Sequence, residues 1–152
     1  FNRYRAEHDY AKSVWHLFGA NPGLWVLLVF RLRRYACFGC RLPIIKQGLK
    51  LLTSVLSTWL KLLTTIELPV TVQLGHGAFI PHVGNIIVHY QSRIGDNCTL
   101  TPGVTLGQAG RGDKNGVPVL GNGVYVAPGA KILGPVTVGH NVVIGANAVV
   151  VK

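Results

Sequence analysis

The 152-residue chain has no methionine, only five acidic residues and three cysteines. With no methionine even at residue 1, the sequence is expected to begin inside a longer chain. Because its repeat is still running at Val151-Lys152, a further C-terminal tail is expected too. Cys37, Cys40 and Cys98 are an odd number without a regular framework, which excludes a secreted disulfide scaffold. Cys37-Phe-Gly-Cys40 is a CxxC, but a zinc site wants a second pair and a redox site a βαβ context. Neither is visible, so plain packing or a helix end is expected there. Long apolar runs are missing as well: none reaches the ~20 residues that span a bilayer. The apolar stretches are internal and carry no cleavage pattern, which argues against a secretory signal.

Five acids against fifteen Lys/Arg leave a net charge of +10. The excess is uneven, since ten of the basic residues precede Leu62. Residues 65–152 are nearly neutral, and the early basic residues are mixed with bulky aliphatics rather than forming a phosphate-tracking stripe. A nucleic-acid binder is therefore not expected.

Glycine, by contrast, is abundant at 19 residues, alongside 49% hydrophobic composition. Residues 1–64 read as a helical N-terminal subdomain. AEHDYAKSVWHLF sets Tyr10, Val14 and Leu17 on one face. Asn21-Pro22-Gly23 has the form of a cap with proline at the first helical position. LWVLLVFRLRRYACF follows, with Arg31, Arg33 and Arg34 where the helix dipole favours cations. After Pro43, Ile45, Leu49, Leu52, Leu56, Trp59 and Leu63 form an amphipathic stripe. Two readings of these basic, aliphatic helices stay open: peripheral contact with an anionic membrane, or a solvated face over an ordinary core.

From Leu68 onward a period of six takes over. It runs Leu68, Leu74, Ile80, slips by two to Val88, Ile94, Leu100, Leu106, and after a loop continues from Leu120 to Val150. Neither a helix nor a single strand repeats at six, but hexapeptides are the signature of a parallel β-helix. Each hexapeptide is one short strand and a corner. Three make a triangular coil of eighteen residues, and coils stack at about 4.8 Å with their backbones paired. The aliphatic residue of each hexapeptide points inward.

GHGAFIPHVGNIIV, SRIGDNCTLTPGVTLG and VYVAPGAKILGPVTVGHNVVIGANAVV resemble the hexapeptide-repeat acyltransferases, more narrowly their serine-acetyltransferase-like branch. NPGLWVLLVFRLRRYA is similar to that branch's N-terminal helices. The resemblance implies a left-handed parallel β-helix over residues 65–152, homotrimers, and acetyl-CoA held between neighbouring coils. It implies no metal. The β-helix carbonic anhydrases need three histidine ligands at separations that His76, His82 and His89 do not show.

Acetyl transfer to a hydroxyl needs a base, a group that orients it, and donors for the oxyanion. His82 lies just before the two-residue slip, where the chain leaves the regular prism, and matches the family's catalytic histidine. His8, His16 and His140 are expected to be ordinary. Glu67, fifteen residues earlier, falls near the same edge one coil away and stands where the family carries an acid. It would accept from the far imidazole nitrogen. The loop from Gln108 to Pro118 inserts eight residues into the repeat, and Arg111 or Lys114 within it are candidates for CoA phosphates. Gly107, Gln108, Pro128 and Ala146 match family positions whose backbone lines the CoA groove.

Serine acetyltransferases hold an aspartate before the catalytic histidine and an Arg-His pair before the post-loop proline. Pro81, Gly116 and Val117 stand there instead. The acceptor is therefore expected to be a sugar hydroxyl of a capsular or exopolysaccharide, modified in the cytoplasm at the inner face of a membrane. Serine O-acetylation and a non-catalytic trimer module are the alternatives.

Overall fold

The computed structural model describes residues 21–110 and 115–151. Two helices lead in. Helix α1 spans Pro22–Arg34, with proline supplying the pre-set φ of a first turn. It widens into a π-helical turn, Tyr35–Gly39, and Cys40 leaves it in extended conformation. The CxxC is thus a helix end, and both thiols are free. Helix α2 spans Pro43–Thr64 and stops at Thr65, whose φ of 54° is left-handed.

Eleven strands follow: β1 (Gln73–Leu74), β2 (Ile87–Val88), β3 (Arg93–Ile94), β4 (Thr99–Leu100), β5 (Thr105–Gly107), β6 (Val119–Leu120), β7 (Tyr125–Val126), β8 (Lys131–Leu133), β9 (Thr137–Val138), β10 (Val143–Ile144) and β11 (Val149–Val150). They form three parallel sheets, β1-β3-β6-β9, β4-β7-β10 and β2-β5-β8-β11. From β3 onward the chain visits the first, second and third sheets in strict rotation, and between β1 and β2 a bridge from Phe79 to Thr99 takes the second-sheet place, which makes a three-sided prism. Every aliphatic residue of the six-residue series from Leu74 to Ile144 is buried. A second inward residue stands two positions earlier at Val72, Ile86, Cys98, Val104, Val124, Ala130 and Val136, filling each corner.

The register shows where the prism departs from regularity. Leu120 lies opposite Val138 and Ile132 opposite Val150, eighteen residues apart. Leu74 lies opposite Ile94 and Phe79 opposite Thr99, two residues more. Ile87 against Thr105 is back to eighteen, so the extra pair sits between Ile80 and Ile87. Leu106 against Ile132 is eight longer than regular and brackets the Gln108–Pro118 loop. The two departures occupy different corners, one on each side of the third sheet.

The corners repeat in kind. Gly77, Asn97, Gly123 and Asn141 stack at the corner between the first and second sheets, all with φ between 56° and 68°. Glycine and asparagine tolerate this left-handed region best. They alternate for a reason: each asparagine amide lies over a glycine that has no Cβ to meet it. One position earlier, side chains bind backbone across coils. Asp96 Oδ1 accepts from the His76 N–H at 2.6 Å, Asn122 Oδ1 from the Asp96 N–H at 2.9 Å, and His140 Nδ1 from the Asn122 N–H at 3.0 Å.

Helix α1 packs on the first coil and closes its open edge. Arg31 donates to the carbonyl oxygens of Leu74, at 2.8 Å, and Gly75. Arg34 donates to those of Val72, at 2.7 Å, and Val70, at 3.3 Å. The basic end of α1 thus satisfies backbone acceptors that no earlier coil would reach. Burial, then the neighbouring Arg34, hold the Arg31 guanidinium below its ordinary pKa.

Helix α2 turns most of its apolar stripe outward. Thr53 and Thr64 are its buried residues, while Ile45, Leu52, Leu56, Trp59 and Leu63 face outward. Thr53 and Thr64 satisfy their hydroxyls by donating to the Leu49 and Leu60 carbonyls at 2.7 and 2.6 Å.

Candidate active site

His82 lies in the irregular corner between the second and third sheets, and its side chain is exposed. Gly84, with φ of 140°, and Asn85, with φ of 45°, turn the chain back into β2. The corner is tied on both sides. The Asn85 N–H donates to Thr65 Oγ1 at 2.7 Å, and the Gly84 carbonyl accepts from the Gly103 N–H at 2.8 Å. Among the described residues, the His82 ring makes no hydrogen bond, which leaves its nitrogens open to an incoming group.

Glu67 extends the third sheet beyond β2. It bridges Ile87 in parallel register, donating to the Ile86 carbonyl at 2.7 Å and accepting from the Val88 N–H at 3.0 Å. Thr65 grips Asn85 two residues before Glu67, so the segments carrying His82 and Glu67 are held side by side. The Glu67 carboxylate meets Lys61 Nζ at 2.9 Å, an ion pair with both side chains about half exposed. Lys61 was not singled out by sequence; its place in the last turn of α2, six residues before Glu67, is the only signal. Glu67 and Lys61 also border a cleft of about 400 Å³ between the helices and the first coil, lined by Val26, Phe30, Leu60 and Ile66.

The corner occupied by His82 continues down the prism as a column. Gly103 stacks on Gly84, the Gly129 N–H donates to the Pro102 carbonyl at 2.9 Å, and the Asn147 N–H to the Pro128 carbonyl at 2.9 Å. Pro128 and Ala146 therefore lie one above the other, both exposed, along the edge that begins near His82. Gly107 and Gln108 lie across the third sheet, on the opposite edge. Gly107 pairs with Leu133, and a Cβ added to it would stand 2.8 Å from Leu133 Cδ2. Gln108 Nε2 donates to Asn115 Oδ1 at 2.9 Å, and Ala109 and Gly116 exchange backbone bonds at 3.1 and 3.2 Å. The Gln108 side chain thus braces the base of the inserted loop. Arg111 and Lys114 lie outside the described residues, as do His8, His16 and the AEHDYAKSVWHLF segment. His140 has a defined structural part as an acceptor in the corner ladder. Among the described residues, no group of three His, Cys, Asp or Glu side chains is disposed to hold a metal ion.

Stacked hexapeptide coils with a helical cap, an open imidazole at an irregular corner and a long exposed edge below it define an acyltransferase of the β-helix class. Comparison with known proteins agrees. Residues 118–152 match the bacterial transferase hexapeptide (six repeats) family. A serine acetyltransferase of Helicobacter pylori is 35% identical over 150 residues, covering 99% of this chain and 83% of that protein. A solved serine acetyltransferase in complex with CoA superimposes with a TM-score of 0.71 at 28% identity, over 97% of this chain and 57% of that one. The Brucella abortus serine acetyltransferase in complex with coenzyme A gives 0.70 at 25% identity, over 95% and 57%. The chain belongs to the hexapeptide-repeat transferases, in their serine-acetyltransferase-like branch, and shares the left-handed parallel β-helix of that branch. It spans 57% of the length of the solved CoA complex.

These findings correct the expected acceptor. Similarity along nearly the whole chain is to serine acetyltransferases, which favours serine over a polysaccharide as the acceptor. The sugar reading rested on Pro81, Gly116 and Val117, three positions of missing charge. A missing charge shows only that serine would not be gripped at those places. It does not show that it is not gripped elsewhere. The expected location at a membrane face gains no support from the relatives; among the described residues, no helix is long and apolar enough to cross a membrane.

Proposed function

We propose that this chain transfers the acetyl group of acetyl-CoA to the hydroxyl of serine. The observation that carries the proposal is the 35% identity to the Helicobacter pylori serine acetyltransferase, sustained over 99% of the chain. In this reading His82 is the general base. It takes the hydroxyl proton as the oxygen attacks the thioester carbonyl, and the imidazolium returns that proton to the departing CoA thiolate. Glu67, released from or shared with Lys61, holds the ring and stabilises its charged form. The edge through Pro128 and Ala146, with Gly107 and Gln108 across the third sheet, receives the pantetheine arm. Small residues there let the thioester approach main-chain N–H groups. Residues 21–64 form a helical cap on a β-helix domain that begins near Ile66. The working unit is a homotrimer, each cofactor lying in a groove between adjacent coil stacks. Arg93, exposed on the outer face of the prism, is a described cation available to a carboxylate, whereas Lys131 Nζ is engaged by the Gly103 carbonyl and, at 3.1 Å, by Thr105 Oγ1.

The test is CoA release from acetyl-CoA with and without serine, beside His82→Ala. Serine-dependent release that falls by about 10²–10⁴-fold in the variant is expected. Acetyl-CoA binding without any serine-dependent release, or an undiminished His82→Ala, overturns the reading.

A further inference from the structure

Lys61 stands where the helical cap meets the His82 corner, and it reaches that corner by two routes. Its carbonyl accepts from the Thr65 N–H at 2.9 Å, the bond that closes the last turn of α2. Thr65 Oγ1 in turn accepts from the Asn85 N–H at 2.7 Å, just beyond His82 in the chain. The Lys61 ammonium meets Glu67 Oε1 at 2.9 Å. Glu67 is itself fixed by its backbone to Ile86 and Val88, on the strand that leaves the same corner. One residue thus ties the end of α2 both to the corner and to the carboxylate beside it.

The ion pair uses a single carboxylate oxygen. Lys61 takes Oε1, which leaves Oε2 to another donor. A glutamate side chain turns about several bonds, and a half-exposed one that nothing held would spend little time in any one orientation. A cation that pins one oxygen aims the other. The neighbouring charges are occupied elsewhere. Arg33, which also lines the cleft beside Glu67, donates to Ser57 Oγ at 2.7 Å. Asp96, the other described carboxylate, accepts from the His76 N–H. Lys61 and Glu67 are left to each other.

We propose that Lys61 is a positioning residue for acetyl transfer: by holding Glu67 Oε1 it turns Oε2 toward the His82 imidazole, and it acts on the reaction only through that carboxylate. This rests on the reading of His82 as the base and Glu67 as its partner. Lys61 touches neither acceptor nor cofactor in this scheme. Its loss should slow the chemical step and leave binding alone.

Steady-state kinetics of serine-dependent CoA release test it in Lys61→Met, Lys61→Arg, Glu67→Gln and the double variant Lys61→Met/Glu67→Gln. Lys50→Met is the control for losing one cation from the same helix. Lys61→Met should lower kcat about fivefold, the upper worth of a half-exposed ion pair, with KM for serine and for acetyl-CoA within about twofold. Lys61→Arg should keep kcat within about twofold of the parent, because a guanidinium can pin the same oxygen. With Glu67→Gln already in place, Lys61→Met should change kcat by less than about twofold, since the group it acts through is gone. Lys50→Met should match the parent. Four results overturn the proposal while His82→Ala and Glu67→Gln remain defective: an unchanged kcat in Lys61→Met, an equal fall with and without Glu67, an equal fall in Lys50→Met, or a raised KM for serine at an undiminished kcat. The last would make Lys61 a residue that grips the acceptor. Full activity in His82→Ala or Glu67→Gln would instead remove the underlying reading, and this proposal with it.

Discussion

Replacing Gly123 with alanine tests the corner geometry on which the stack depends. Gly123 sits at φ 68°, so an L-residue there costs about 1–2 kcal/mol. The new Cβ would also land on Asn141 Oδ1, well inside contact distance, and displace that amide. Losing its place adds about 1 kcal/mol. The sum is about 2–3 kcal/mol. At roughly 2–4 °C per kcal/mol for a chain of this size, the midpoint of thermal unfolding should fall by about 5–10 °C. Circular dichroism melts at one fixed protein concentration read this directly. Adding Asn141→Gly to the variant removes the collision and leaves the backbone cost, so about 1 kcal/mol should return. Gly145→Ala is the control, because its added Cβ meets nothing within 4 Å and the backbone there is not left-handed. It should change the midpoint by no more than about 0.5 kcal/mol allows. A Gly123→Ala protein melting with the parent, or a Gly145→Ala protein falling as far, would refute the reasoning.

Gly48→Ala should stabilise by about 1 kcal/mol in denaturant titration, since the position is in the interior of α2 and its added Cβ has open space. Arg31→Met with Arg34→Met should lose at least about 3 kcal/mol, because four backbone carbonyls on the first coil's edge lose charged donors. Lys61→Met should cost under about 1 kcal/mol, the ion pair with Glu67 being half exposed. Glu67→Gln should melt with the parent yet lower serine-dependent CoA release by at least about tenfold, a split that a purely structural glutamate would not give.

The prism was legible because its inward positions repeat. An aliphatic residue every sixth place admits few other geometries, and the slip before Val88 and the gap after Leu106 marked where the repeat breaks. Both breaks appear in the register at those places. What α2 faces was not legible. A stripe such as Ile45–Leu52–Leu63 says that one side of a helix is apolar, not which side meets the protein, and here Thr53 and Thr64 do. The ladder of His76, Asp96, Asn122 and His140 was invisible for a different reason. Its bonds join residues eighteen to twenty-six apart through side chains of unlike type. The arginines of α1 were read as balancing a helix dipole, whereas their contacts are with the carbonyls of another element. The acceptor was misjudged because absent charges at three positions were weighed against serine without knowing how the rest of the chain compared.

The Arg31–Arg34 clamp bears on self-association. A parallel strand at the start of a solenoid offers a row of free carbonyls, the template on which the last coil of another molecule could add and so begin a fibre. By occupying carbonyls of that row with guanidinium groups of its own, the chain closes the first-sheet side of its first coil to an added strand.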